Sequence, residues 1–263
     1  MRIALVVEYD GSQYHGWQSQ TGLHTVQESV ETAIAKIADE KINVVCAGRT
    51  DTGVHATHQV IHFDTDKERS LRAWIYGVNS FLPKDICIRW GKEMPDTFHA
   101  RYSGMSRRYR YVIHNTPIRS ALLRANVTWQ YRQLDHRLMH QAAQILVGEH
   151  DFTSFRSVEC QSKTPMRLVM DMSVTRKLDY VMIDVRANAF LHHMVRNIAG
   201  VLMSVGASRH PVAWVQEVLE AKDRKLGAET APPYGLYLVS VAYPQEFGMI
   251  EQFSESLFFD LEH

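Results

Sequence analysis

Ile3-Ala4-Leu5-Val6-Val7-Glu8-Tyr9 is an apolar run closed by the turn pair Asp10-Gly11, which reads as a strand entering a sharp turn. Thr25-Val26-Gln27-Glu28 then has the spacing of a capping box. It opens a helix whose Val26, Val30, Ala33, Ile34 and Ile37 share one face. Ile42 to Ala47 and Gln59 to Phe63 are two further short strands. Ser70 caps a second helix carrying Leu71, Trp74, Ile75, Val78 and Leu82, and Pro83 stops it. Ile86, Ile88 and Trp90 alternate as a last strand. The order is β-α-β-β-α-β, the split βαβ arrangement of ferredoxin-like and RRM-like folds.

Beyond Arg101 the order recurs. Arg108 to Asn115 alternates as a strand with Tyr109, Tyr111 and Ile113 on one face, and an extra short strand lies near Val127 to Tyr131. A helix runs from Asp135 to Val147, ended by Gly148. Strands follow at Leu168 to Thr175 and Tyr180 to Ala187, then helices at Leu191 to Val205 and Pro211 to Lys222, then a closing strand from Leu236 to Tyr243. The expected fold is therefore mixed α/β (α+β), two tandem βαββαβ subdomains over 1–100 and 101–244. One sheet continues across both, an active-site cleft lies between them, and an acidic tail occupies 245–263.

The chain has 263 residues, 45% hydrophobic and 22% charged, enough for one large or two small domains. Its three cysteines, Cys46, Cys87 and Cys160, form no C-x-x-C pair and read as reduced, mostly buried thiols of a cytoplasmic protein. No stretch approaches a membrane span, and Met1-Arg2 leads into a strand rather than a signal segment. The formal net charge is zero, but it is unevenly spread. Arg101 to Leu134 holds seven arginines and no acid, whereas Gln245 to His263 holds five acids and no Lys or Arg. With Tyr102, Tyr109, Tyr111, Trp129 and Tyr131 interleaved, the basic segment suits phosphate contacts and base stacking; a solvated face balanced elsewhere is the plainer alternative.

The densest run of unusual residues is Gly48-Arg49-Thr50-Asp51-Thr52-Gly53-Val54-His55-Ala56. Its glycines permit a sharp turn that presents Arg49 and Asp51 together. A carboxylate beside a guanidinium stays ionised, and can serve as nucleophile, base or stabiliser of a developing cation. A loop aspartate satisfying its own turn is the simpler reading. Asp51-Thr52-Gly53 also matches the triplet of aspartic proteases, but no second such triplet supplies the partner carboxylate. His55, His58 and His62 suggest a metal, yet only His58 and His62 would share a strand face, with no thiolate or carboxylate to complete a set. Histidines on a sheet face near RNA fit better, with no metal. No P-loop or dinucleotide fingerprint is present, so no nucleotide cofactor is expected.

Gly48 to Ala56 resembles the signature of the tRNA pseudouridine synthases of the TruA type. Tyr9-Asp10-Gly11, Tyr14-His15-Gly16-Trp17-Gln18, Thr25-Val26-Gln27, Phe98 to Tyr102, Arg108 to Tyr111, Asp151 to Arg156 and Phe190 to Asn197 follow in that family's order. The resemblance spans residues 1 to about 244. It implies paired RRM-like subdomains, a homodimer, and isomerisation of uridines on the 3′ side of the tRNA anticodon stem-loop without metal or cofactor. It also implies roles for single residues. Asp51 is the catalytic aspartate and Arg49 assists base extrusion. Tyr109 stacks on the target base and Arg196 pairs with the aspartate. Phe98, His99, Ala100, Arg101 and Tyr102, with Glu159, Cys160, Gln161, Ser162 and Lys163, touch tRNA. Lys163 stands where the family pattern has arginine, so it holds a phosphate only as a point charge. The rival reading is a catalytically silent tRNA-binding protein of the same fold, for which a carboxylate facing phosphates serves no purpose.

Overall fold

The computed structural model describes residues 1–250, so most of the acidic segment lies outside the described residues. In chain order the first elements are β1 (Arg2–Tyr9), α1 (Val26–Ala38), β2 (Val45–Cys46), β3 (His55–Asp64) and β4 (Ile86–Met94). Then come β5 (Ser106–His114), β6 (Thr128–Trp129), α2 (His136–Gln144), β7 (Gly148–Asp151), β8 (Met166–Lys177) and β9 (Tyr180–Ala187). The last are α3 (Met194–Gly206), α4 (Trp214–Ala221) and β10 (Leu236–Ala242). The described residues thus form a mixed α/β fold with ten strands. They divide into two compact units, Met1–Ser106 with the chain from Leu238, and Arg107–Tyr237. No helix among the described residues is long and apolar enough to cross a membrane.

In the first unit the strand order is β4-β1-β3, with β2 and β10 both beside β3. β1 pairs antiparallel with β3 and with β4, and Ile3 to Val7 are buried on both faces. That is why the strand reads as a continuous apolar run rather than an alternation. Successive residues of β3 point to opposite faces, and each face has its own cover. Phe63 meets Trp74, from the helical segment around the π-turn Ala73–Gly77, at 5.2 Å between ring centroids. His62 on the other face meets Phe98, which packs against Tyr243 and Phe247. The closing strand, expected to end the second repeat, groups with this unit. Met105 donates to the Ala242 carbonyl at 2.8 Å, and the Tyr243 hydroxyl to the Ala100 carbonyl at 2.6 Å.

Two local expectations are corrected here. The Thr25 hydroxyl does not cap α1; it is buried without a hydrogen-bond partner. The first-turn amides of Val26 and Gln27 are taken instead by the carbonyls of Gly16 and Trp17. The strand read as 59–63 begins at His55, because buried His55 and His58 are polar and break the apolar signal.

The second unit orders its strands β5-β9-β8-β7, with β6 parallel to β5. Tyr109, Tyr111 and Ile113 share the buried face of β5, as the alternation requires. α2 is capped by Asp135, whose carboxylate accepts from the Arg137 and Leu138 amides. It ends at Gln144, and Gly148 opens an extra strand, β7, rather than closing the helix.

Candidate active site

Asp51 lies in the loop between β2 and β3, and the backbone on either side of it is pinned. At the loop's base the Gln59 amide clamps Gly48 twice, accepting from its N–H at 3.3 Å and donating to its carbonyl at 2.5 Å. Next to Asp51, the Thr50 carbonyl accepts from the Trp17 amide at 3.0 Å, and the Thr50 hydroxyl is hydrogen-bonded to the Tyr9 hydroxyl at 2.8 Å. Val54 N–H closes a turn onto the Asp51 carbonyl, and Gly53, at φ 78°, donates to Tyr14. His55 Nδ1 lies 3.0 Å from the Gly11 amide and 3.1 Å from the Asp10 carboxylate. The bond to His55 holds the Asp10 carboxyl far below the usual range, against the opposing effect of burial.

Two glycines make this fit possible. A Cβ on Gly11 would sit 1.9 Å from the Val54 carbonyl oxygen, and one on Gly16 would sit 2.7 Å from that of Thr50. Gly16 also has φ +84°, a conformation that side chains disfavour. The segment from Tyr9 to Trp17 is therefore a backing against which the Asp51 loop is moulded. The sequence motifs alone give its residues no role of their own.

Arg49, in the same loop, is exposed. Burial pushes the Cys46 thiol up to about 11, while Arg49 and Arg101 both favour its ionised form. In the segment 98–102 the structure separates core from surface. Phe98 and Ala100 are fully buried, and the Ala100 amide donates to His62 Nδ1. Tyr102 is 77% exposed, stacks on His99 at 4.3 Å, and lies under the Arg101 guanidinium at 5.7 Å.

The histidines of β3 do not face RNA as the sequence suggested. His55, His58 and His62 are all buried, and burial lowers His58 and His62 to a pKa of about 4. His58 Nε2 contacts the Ile250 carbonyl at 3.0 Å, so residues past the last strand cover that face.

In the second unit Tyr109 is 8% exposed, with Phe190 edge-on to it at 5.0 Å. Tyr111 is not a stacking residue: it is fully buried, and its hydroxyl bonds Thr128 and the Pro232 carbonyl. Arg196 on α3 donates to the Ala231 carbonyl at 2.9 Å, and Ala231 donates back to the Arg196 carbonyl. The approach is close enough that a Cβ on Gly200 would lie 2.1 Å from the Glu229 carbonyl oxygen.

Glu159, Gln161 and Lys163 are exposed on a loop whose shape is set from within. Arg156 donates to the carbonyls of Cys160 and Ser162, and Arg167 to the Ser162 hydroxyl. Burial opposes ionisation of the Cys160 thiol, but the His192 and Ser162 amides and Arg156 outweigh it and lower its pKa. The basic stripe is likewise partly committed to the fold, since Arg108 and Arg110 both pair with the buried Asp184.

The family model described as tRNA pseudouridine synthase matches residues 5–103 and 142–244. The chain belongs to that family. It is 72% identical over 258 residues to tRNA pseudouridine synthase A of Legionella pneumophila (strain Lens), covering 98% of each chain. Identity is 56% over 247 residues with the Shewanella frigidimarina protein of that name, covering 94% of this chain and 95% of the relative. With the Pseudomonas aeruginosa protein it is 55% over 253 residues, covering 96% and 89%. The family model includes both the Tyr9–Trp17 segment and the Asp51 loop.

Proposed function

We propose that this chain is an isomerase that converts uridine to pseudouridine in the anticodon stem-loop of tRNA, with Asp51 as its catalytic residue. The observation that carries the reading is the Asp51 loop, pinned on both sides within a segment that the family model covers. The reaction breaks N1–C1′, turns the uracil and joins C5 to C1′. Uracil leaves and returns, so it is its own nucleophile. The protein must supply a carboxylate at C1′, whether it bonds the sugar, stabilises its cationic character or takes the 2′ proton. It must also hold the freed ring.

Tyr109 is the stacking platform in this reading, and its contact with Phe190 supports a fixed ring plane. Exposed Arg49 fills the space of the extruded base or holds its phosphate, and Arg196 pairs with Asp51 during the reaction. His99, Arg101 and Tyr102, together with Glu159 to Lys163, meet the RNA beyond the target nucleotide, supported by the exposure of Arg101, Tyr102, Glu159, Gln161 and Lys163 and by the stacking of Tyr102 on His99. The chain works as a homodimer in the cytoplasm. Support for pairing comes from Ile118, 81% exposed, and Leu122, 91% exposed, two large apolar side chains left at the surface. Three free cysteines support the compartment.

The test is to incubate the purified protein with unmodified tRNA transcripts and map pseudouridine. Modification at anticodon stem-loop uridines is expected. Modification of other RNA only would overturn the substrate, and binding without any modification would favour the silent binder.

A further inference from the structure

One hydroxyl from outside the Asp51 loop reaches the residue beside Asp51. Tyr9 closes β1, where the pairing with β3 slips by one residue between Val7 and Tyr9. Such a bulge re-aims the side chain that follows it. The Tyr9 ring is buried, lies 5.8 Å from that of Trp17, and ends in the hydrogen bond to Thr50 Oγ1. Trp17 in turn donates its amide to the Thr50 carbonyl. Thr50 is thus held through side chain and main chain by the two ends of one segment, while Gly16 packs beneath it.

We propose that Tyr9, acting through Thr50, is a positioning residue for the Asp51 carboxylate. The proposal rests on Asp51 being the catalytic group. Its physical basis is the sensitivity of bond-making at C1′ to placement. A shift of about 1 Å in a catalytic group can cost on the order of 100-fold in rate. A phenylalanine at position 9 would keep the ring and its packing and release only the hydroxyl that fixes Thr50. The backbone would still be held by Trp17, so the loop would stay folded while the Thr50–Asp51 peptide gained freedom.

The test is a single-turnover comparison at saturating protein, with tRNA affinity and thermal midpoint measured on the same preparations. Tyr9→Phe and Thr50→Val should each slow the bound reaction by about 10-fold or more, with Kd within about twofold of wild type. Thr50→Ser keeps the hydroxyl and should restore most of the rate. The double variant Tyr9→Phe/Thr50→Val should be no slower than the worse single, because both remove one bond. A purely structural hydroxyl would lower the thermal midpoint and leave the rate of the folded protein unchanged. Wild-type rates in Tyr9→Phe and Thr50→Val beside an inactive Asp51→Asn would overturn the positioning role alone. An active Asp51→Asn would overturn the catalytic reading beneath it.

Discussion

Two of the loops whose residues are proposed to meet the RNA, those of Asp51 and of Glu159 to Lys163, are built in opposite ways. The Asp51 loop is fixed from outside itself: Tyr9, Tyr14 and Trp17 reach it across roughly forty residues of sequence, and Gln59 clamps its base. The loop bearing Glu159 to Lys163 is fixed mainly by nearby arginines, Arg156 and Arg167, which bond its carbonyls and the Ser162 hydroxyl, with His192 as a distant tie, to Ser157 and Cys160. The first presents one carboxylate with its neighbouring backbone tied down. The second presents exposed polar side chains on a frame made mostly by its neighbours in sequence. Chemistry at a single carbon needs the first kind of support, whereas contact with a phosphate chain tolerates the second.

The sharpest way to break this contrast is one substitution in the backing of the first loop and one on the exposed face of the second. Gly16→Ala adds a methyl 2.7 Å from the Thr50 carbonyl at positive φ, and should cost about 3 kcal/mol in urea unfolding together with most of the activity. Gln161→Ala, on an exposed side chain, should leave stability unchanged. Comparable losses from both would erase the distinction.

A second test concerns the buried histidines behind the first loop. His58 has a folded pKa of about 4 against an unfolded value near 6.5, so the unfolded chain binds more protons between those values. Stability should therefore be full above about pH 6.5 and fall as pH drops toward 4, by at most about 3 kcal/mol from this residue. His58→Gln should flatten that slope. A slope unchanged by the substitution would mean the imidazole is not held neutral.

Tyr109 sharpens the comparison from the second unit. Tyr109→Ala should weaken productive tRNA binding by about 1–3 kcal/mol, and Tyr109→Phe by much less, if the ring is the platform. Equal effects would return Tyr109 to the core of β5. The smallest expected effect is at the surface of the first unit. Arg101→Ala should lower the slope of log affinity against log salt by about one unit, as one lost phosphate contact does. An unchanged slope would place that side chain off the RNA.

What could be read from the sequence follows from how local each signal is. β1, β5, α1 and α2 show their faces through apolar spacing, because burial of one stripe or one run produced them. Asp51 was legible because Arg49 and two glycines crowd around it. The start of β3 was not, since its buried side chains include His55 and His58, whose polar groups find partners far away in the chain. The same reason hid the purpose of Tyr9, Gly11 and Gly16, whose contacts lie some forty residues on. Tyr111 was misread because an aromatic next to arginines looks alike in a core and on a surface.

The central claim is that Asp51 carries the isomerisation, and the exchange it forces can be counted directly. Joining C5 of uracil to C1′ expels the C5 hydrogen, so tRNA labelled with tritium at C5 must release label to water in step with product. Wild type should release it. Asp51→Asn, nearly the same shape but unable to act as nucleophile or base, should bind the tRNA with equal or slightly higher affinity and release tritium at least about 1,000-fold more slowly. Release by Asp51→Asn at more than about one per cent of the wild-type rate would contradict the account.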